Sequence, residues 1–186
     1  SGSTSEYIDP VRIITNKSSG KMGRALQNAA IEAGAKVIFI EAKSVNQLKQ
    51  DIEKHFADID ILIMAAAVSD YKPVKTSQQK IKSDQDKLII ELEKTEDLLA
   101  YFGSKKEHQF LVGFALESEN LLENARKKLE KKNLNLIVAN ETSAIGAEKS
   151  SIKILDRSDT IEEYANLEKR ELAERIIERI CRDLNP

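Results

Sequence analysis

Residues 14–26 read ITNKSSGKMGRAL. Polar residues and two glycines lead into Met22, Ala25, Leu26, Ala29, Ala30 and Ala33, which recur at helical spacing on one face, and Gly34 follows as a stop. A glycine-bearing turn opening straight into an amphipathic helix is the first unit of an alternating chain. KVIFI at 36–40 reads as a short buried strand, and Ser44 with Gln47 as a capping box for a helix to about Phe56. DILIMA at 60–65 is a second buried strand, and LIIEL at 88–92 follows a polar, lysine-rich loop. Thr95 is placed to cap a short helix ending at Gly103. A strand at 110–114, a helix over 118–132 and a strand at 134–139 follow. Segments 152–155 and 160–164 pair as a hairpin, and 168–184 closes the chain as a helix with Leu172, Ile176, Ile180 and Leu184 on one face. This alternation predicts an α/β fold: a Rossmann-like, mainly parallel sheet flanked by helices, with a small antiparallel C-terminal hairpin.

The chain of 186 residues reads as one domain, 1–186, with no internal repeat and no linker. Two joins are shorter than the pattern requires. No strand precedes the turn at 1–4, and only three residues separate 36–40 from Ser44, so residues are expected to be missing before Ser1 and near 40/41. Apolar residues make up 41% and charged residues 32%, a soluble, globular balance. The net charge of −2 calls for neither nucleic acid nor an anionic membrane as partner. No apolar run is long enough for a transmembrane helix, no signal peptide is evident, and Cys181 stands alone, which together predict a cytoplasmic protein. Two histidines and one cysteine do not suggest a zinc site.

Four stretches carry chemistry. In ITNKSSGKMG, Gly20 and Gly23 permit close backbone approach, and a helix start offers free N–H groups to an anion. Ser18 and Ser19 add hydroxyls, or simply cap the helix. Met22 after Gly20-Lys21 excludes a phosphate-binding P-loop, and Ser18 breaks the dinucleotide pattern of glycines. MAAAVSDYKP, 64–73, leaves a strand at its carboxyl end, where Asp70 can accept from a substrate, hold a metal, or merely end the strand. Tyr71 and Lys75 have the spacing of a dehydrogenase Tyr/Lys pair, but Pro73 would disrupt the helix that pair needs. QQKIKSDQDK, 78–87, holds Lys80 and Lys82 in a loop that can meet phosphates or stay solvated. Lys128 and Lys132 lie one turn apart on a helical face, a pattern that also serves ordinary dipole compensation. Phe114 and Asn140 end two further strands, on the same rim as Asp70.

Taken together, EYIDPVR, ITNKSSGKMG, MAAAVSDYKP, KIK, VGFALE and KKNLNLIVANE resemble phosphopantothenate–cysteine ligase, also called phosphopantothenoylcysteine synthetase, in its bacterial, CTP-using form. The resemblance implies a ligase that activates 4′-phosphopantothenate with CTP as an acyl-cytidylate and passes the acyl group to L-cysteine, with Mg²⁺ on the triphosphate. It also implies a homodimer, and a flavin-dependent decarboxylase often fused ahead of the domain. By resemblance, Asn16 holds the substrate and acyl intermediate, and Lys80 acts in catalysis on the phosphates. Gly2, Ser18, Gly20, Gly23, Asp70, Thr95, Glu96, Asp97, Leu98, Phe114, Lys128, Lys132 and Asn140 match nucleotide positions. Ala66, Ala67 and Asp70 match pantothenate-side contacts, Asp70 being also a metal candidate. Arg12 matches an arginine that reaches the neighbouring subunit's phosphopantothenate. The chain departs from the family pattern at Ser3, Ser83, Thr95-Glu96-Asp97 and Glu141. An NAD(P)-dependent oxidoreductase and an inactive nucleotide-binding module are the alternatives.

Overall fold

A computed structural model describes residues 1–82, 86–117, 119–141 and 149–185. Ser83 and Ser118 lie outside the described residues. The strands are β1 (Gly2–Ser3), β2 (Ser5–Tyr7), β3 (Ile13–Thr15), β4 (Ile61–Met64), β5 (Ala66–Ala67), β6 (Tyr71–Pro73), β7 (Leu92–Lys94), β8 (Phe110–Glu117), β9 (Leu136–Glu141), β10 (Lys149–Asp156) and β11 (Ile161–Glu168). The helices are α1 (Lys21–Glu32), α2 (Val45–Glu53), α3 (Leu98–Lys105), α4 (Leu121–Lys131) and α5 (Lys169–Leu184).

The main sheet runs β11-β10-β9-β8-β4. Pairs β4·β8 and β8·β9 are parallel, while β9·β10 and β10·β11 are antiparallel. One residue beyond β4, β5 pairs in parallel with β1. The sheet is therefore parallel over β9-β8-β4, as expected, and the C-terminal hairpin is larger than expected, extending that sheet through eight-residue strands. Alternation on β8 divides the core. Leu111 and Ala115 face Leu48, Phe102, Ala125 and Leu129 of α2, α3 and α4. Phe110 and Val112 face Leu26, Ala29, Leu172 and Ile176 of α1 and α5. Two small hairpins, β2–β3 and β6–β7, stand outside the sheet.

Helix ends follow their local chemistry. Gly34 takes φ 87°, with Gly34 N–H donating to Ile31 O and Ala35 N–H to Ala30 O, the paired bonds of a glycine stop. Ser44 caps α2 by accepting from Gln47 N–H, but the Gln47 amide bonds Asp51 instead of closing the box. The buried Glu6 carboxylate accepts from Val45 N–H at the same helix start.

Three expectations need correction. Residues 36–40 form no strand; only Ile40 and the residues after it bond to 1–5, and a ladder needs a strand opposite it. The cap of α3 is Asp97, whose carboxylate accepts from Ala100 N–H, while Thr95 bonds elsewhere and α3 runs to Lys105. The strand expected at 88–92 is instead β7 at Leu92–Lys94, paired with β6.

Candidate active site

Open α/β sheets bind ligands beyond the carboxyl ends of their parallel strands. Past β5 the chain turns through Val68, Ser69 and Asp70, and four consecutive carbonyls there are each held by another segment. Ala67 O accepts from Thr4 N–H at 3.2 Å, and Val68 O from Asn16 Nδ2 at 3.1 Å. Ser69 O accepts from the Thr95 hydroxyl, and Asp70 O from Thr95 N–H at 3.0 Å. Buried Thr4 also accepts from Ser69 N–H at 2.8 Å, and its carbonyl accepts from the Thr15 hydroxyl at 2.7 Å. A turn bound on every carbonyl has few alternative conformations, so the exposed Asp70 carboxylate is carried on a fixed base. Beside it the Ser69 hydroxyl is buried without a hydrogen-bond partner among the described residues.

The glycines close up against the amino-terminal strand. Gly20, at φ 67°, precedes α1, and a Cβ on it would lie 3.6 Å from Gly2 Cα. A Cβ on Gly23 would fall 1.9 Å from Ser1 Oγ, so only glycine lets the first turn of α1 sit this close. Ser18 accepts from Gly20 N–H and Ser19 from Lys21 N–H, both at 3.4 Å. The remaining N–H groups of that turn have no partner within the helix.

The nucleotide candidates lie on both faces of the sheet. Phe114 pairs with Val138 in register, and Leu116 with Asn140, so Phe114 and Asn140 share the α1 face. On the other face Lys128 binds Glu117 at 2.5 Å and Lys132 binds Asp97 at 2.9 Å. Glu96 is paired with Lys49 at 2.7 Å. The Leu98 side chain is buried in the core, leaving only its backbone for a ligand. Ala66 and Ala67 are half-buried on β5. Tyr71 lies on β6, so it shares no helix with Lys75.

Lys80 is exposed and sits beside a knot that holds Ile81. The Asp9 carboxylate, fully buried, accepts from Val11 N–H and Arg12 N–H at 2.8 Å, from Ile81 N–H at 3.1 Å, and from the Arg12 guanidinium. Arg12 Nη1 also donates to Ile81 O at 3.1 Å. Burial alone would raise the Asp9 carboxyl, but those N–H donors and the guanidinium outweigh it and hold it at about 2. In EYIDPVR the residue type of Arg12 stands out and that of Asp9 does not. The available signal was Asp-Pro, since aspartate commonly bonds backbone amides two and three residues ahead. Thr4 and Ser69, 65 positions apart, and Glu117, bound to Lys128 across the β8–α4 connection, carry no local signal.

A family model for the DNA/pantothenate metabolism flavoprotein C-terminal domain matches residues 1–184. A cysteine/cysteine sulfinic acid decarboxylase from an unknown prokaryotic organism is 40% identical over 200 residues, covering 96% of this chain and 56% of that protein. The coenzyme A biosynthesis bifunctional protein CoaBC of Bacillus subtilis (strain 168) is 42% identical over 162 residues, covering 78% of this chain and 40% of that protein. The chain thus spans about half the length of these relatives. The crystal structure of the C-terminal domain of a coenzyme A biosynthesis bifunctional protein CoaBC superposes with a TM-score of 0.82 at 33% identity, covering 98% of this chain and 92% of that one. The chain belongs to the family of DNA/pantothenate metabolism flavoprotein C-terminal domains.

Proposed function

We propose that this domain is a ligase of coenzyme A biosynthesis that joins 4′-phosphopantothenate to L-cysteine with CTP. The observation that carries the reading is the hydrogen bond from Asn16 to the Val68 carbonyl, which joins the glycine-helix segment to the Asp70 turn in one site. Family membership and the relatives named for coenzyme A biosynthesis support the same pathway.

In the proposed reaction the pantothenate carboxylate oxygen attacks the α-phosphorus of CTP. The bond to the leaving pyrophosphate breaks and an acyl-cytidylate forms. The cysteine amine then attacks the acyl carbon, loses a proton to solvent, and CMP leaves. Both steps need positioning and charge stabilisation more than a side-chain nucleophile. Lys80 is assigned to the charge on the departing pyrophosphate. Lys128 and Lys132 exchange Glu117 and Asp97 for the nucleotide. Asn16 positions the acyl group, with Ala66 and Ala67 leaving room for the pantothenate chain. Mg²⁺ commonly binds through phosphates with one or two carboxylates, and the exposed Asp70, without an ion pair among the described residues, fits that role. Such an ion would offset charge on the triphosphate.

The homodimer proposal rests on the two small hairpins. Tyr7, Val11, Ile13, Tyr71, Leu88 and Leu92 expose apolar surface there, and Arg12 lies among them. Only Nη1 of Arg12 bonds within the described chain, so the guanidinium retains donors for a phosphate across the interface. A fused decarboxylase partner and a cytoplasmic setting complete the proposal; no helix among the described residues is long and apolar enough to cross a membrane.

The test is pyrophosphate release with CTP, Mg²⁺, cysteine and 4′-phosphopantothenate, repeated with ATP. Release from CTP that requires 4′-phosphopantothenate supports the reading. No release with either nucleotide rejects the ligase, and release from ATP alone rejects the CTP assignment.

A further inference from the structure

We infer that Asp9 is a positioning residue for the lysine loop: its carboxylate fixes Ile81 and thereby sets where Lys80 and Lys82 stand at the edge of the site. Both polar backbone groups of Ile81 are engaged by one pair of side chains. Its N–H donates to Asp9 Oδ2 at 3.1 Å, and its carbonyl accepts from Arg12 Nη1 at 3.1 Å. The other Asp9 oxygen accepts from Val11 and Arg12 N–H, each at 2.8 Å, so the carboxylate cannot swing away without losing the turn between β2 and β3.

The loop is also tied nearer its start. Ser77 N–H donates to Ile8 O at 2.9 Å, and the Thr76 hydroxyl to Tyr7 O at 3.0 Å. Residues 76–81 therefore run beside β2 and the turn after it, with Asp9 as the last anchor. Lys80 and Lys82 flank the anchored residue, are exposed, and make no ion pair among the described residues. Three of the four donors to this buried carboxylate come from the β2–β3 turn and one from the loop, so a single carboxylate ties the loop to a fixed turn. The arrangement makes sense if the backbone position of two cations matters, because a charge-stabilising group displaced by about 1 Å can cost about 100-fold in rate.

This inference rests on the ligase reading, and its test keeps the two apart. Pyrophosphate release is compared for the wild type, Asp9→Asn, Lys80→Ala and the double variant. Asp9→Asn keeps the side chain's size and one acceptor but loses the charge. Its kcat is expected to fall about 10- to 100-fold, with the KM for CTP changed less than about threefold. In the Lys80→Ala background the same change is expected to cost less than about twofold, because the group it positions is gone. Equal losses in both backgrounds would overturn the inference, since a merely structural role is blind to Lys80. Should Asp9→Asn fail to fold, Ile81→Pro removes the same hydrogen bond from the loop side and takes its place in the cycle.

Amide exchange gives an arm independent of activity. The Ile81 amide is expected to be protected in the wild type and to exchange at least tenfold faster in Asp9→Asn, with α5 amides unchanged. Unchanged exchange at Ile81 would overturn the anchor whatever the reaction. A wild type inert in the pyrophosphate assay but with the expected exchange would reject the ligase reading while upholding the anchor.

Discussion

Asn16 donates to Val68 O at 3.1 Å, so replacing its amide with a carboxylate turns a donor into an anion facing a carbonyl oxygen. Asn16→Asp is expected to keep CTP affinity within about threefold and to slow conversion of the acyl-nucleotide about 100-fold, as a misplaced positioning group does. Equilibrium CTP binding beside single-turnover product formation checks this, and an equal loss in both would assign Asn16 to the nucleotide half. Thr95 gives a second handle, because its hydroxyl and its N–H hold adjacent carbonyls of the Asp70 turn. Thr95→Val leaves Ser69 O unpartnered, which should cost about 1–3 kcal/mol in denaturant unfolding and raise the KM for 4′-phosphopantothenate. At this scale the sequence shows residues whose type announces chemistry, such as Asn16, Asp70 and Lys80. It hides those whose work is done by a long-range contact: Asp9 and Ile81 are 72 positions apart, and nothing local marks them as partners.

Helix α3 comes closest to the C-terminal end of α4 at Gly103. A Cβ on Gly103 would lie 1.9 Å from the Lys132 carbonyl oxygen, a backbone atom that cannot rotate away. Gly103→Ala is therefore expected to destabilise the fold by at least about 1–3 kcal/mol through overpacking. Because Lys132 also pairs with Asp97 at the start of α3, the variant should weaken CTP binding as well; a calorimetric titration beside a urea melt reads both. In sequence Gly103 marks a helix end, as an isolated glycine late in a helical pattern does. Its packing role needs the second helix to be seen. The strand expected at 36–40 fails for a related reason. Its short apolar run is that of a buried strand, but hydrogen-bond pairing decides strands, and bonds to 1–5 begin only at Ile40. Elements bounded by strong local signals, such as the Gly34 stop of α1, were legible.

Across the whole molecule, the two-sided sheet was legible from alternation alone, because buried residues on β8 must satisfy helices on both faces. The attachment of the C-terminal hairpin was not, and charge chemistry accounts for part of it. Buried Arg179 of α5 bonds Asp156 and Glu162 at the ends of β10 and β11, and Asp183 on its own helix. Burial raises both carboxyls, but hydrogen bonds from Ser158, Thr160 and Arg179 at Asp156, and from Tyr164 and Arg182 with the Arg179 charge nearby at Glu162, outweigh it and hold both below their ordinary values. Carboxyls with depressed folded values give stability that is present above the ordinary carboxylate range, about pH 4–4.5, and lost as pH falls through their lowered folded values. Urea midpoints should therefore drop steeply over that window. Arg179→Met, which leaves the half-buried Asp156 and Glu162 without their shared cation, should cost about 1.5–3 kcal/mol at neutral pH. The exposed apolar hairpins predict a dimer by light scattering, and Val11→Asp should yield monomers with little turnover; an active monomer would remove Arg12 from any shared site. The proposed acyl-cytidylate is sought in a quenched single turnover without cysteine. Enzyme, CTP, Mg²⁺ and 4′-phosphopantothenate should yield a stoichiometric acyl-cytidylate that adding cysteine converts to product and CMP. Product formation with no acyl-cytidylate detectable at any time, or no reaction of CTP at all, would exclude a CTP-dependent ligase acting through an acyl-cytidylate.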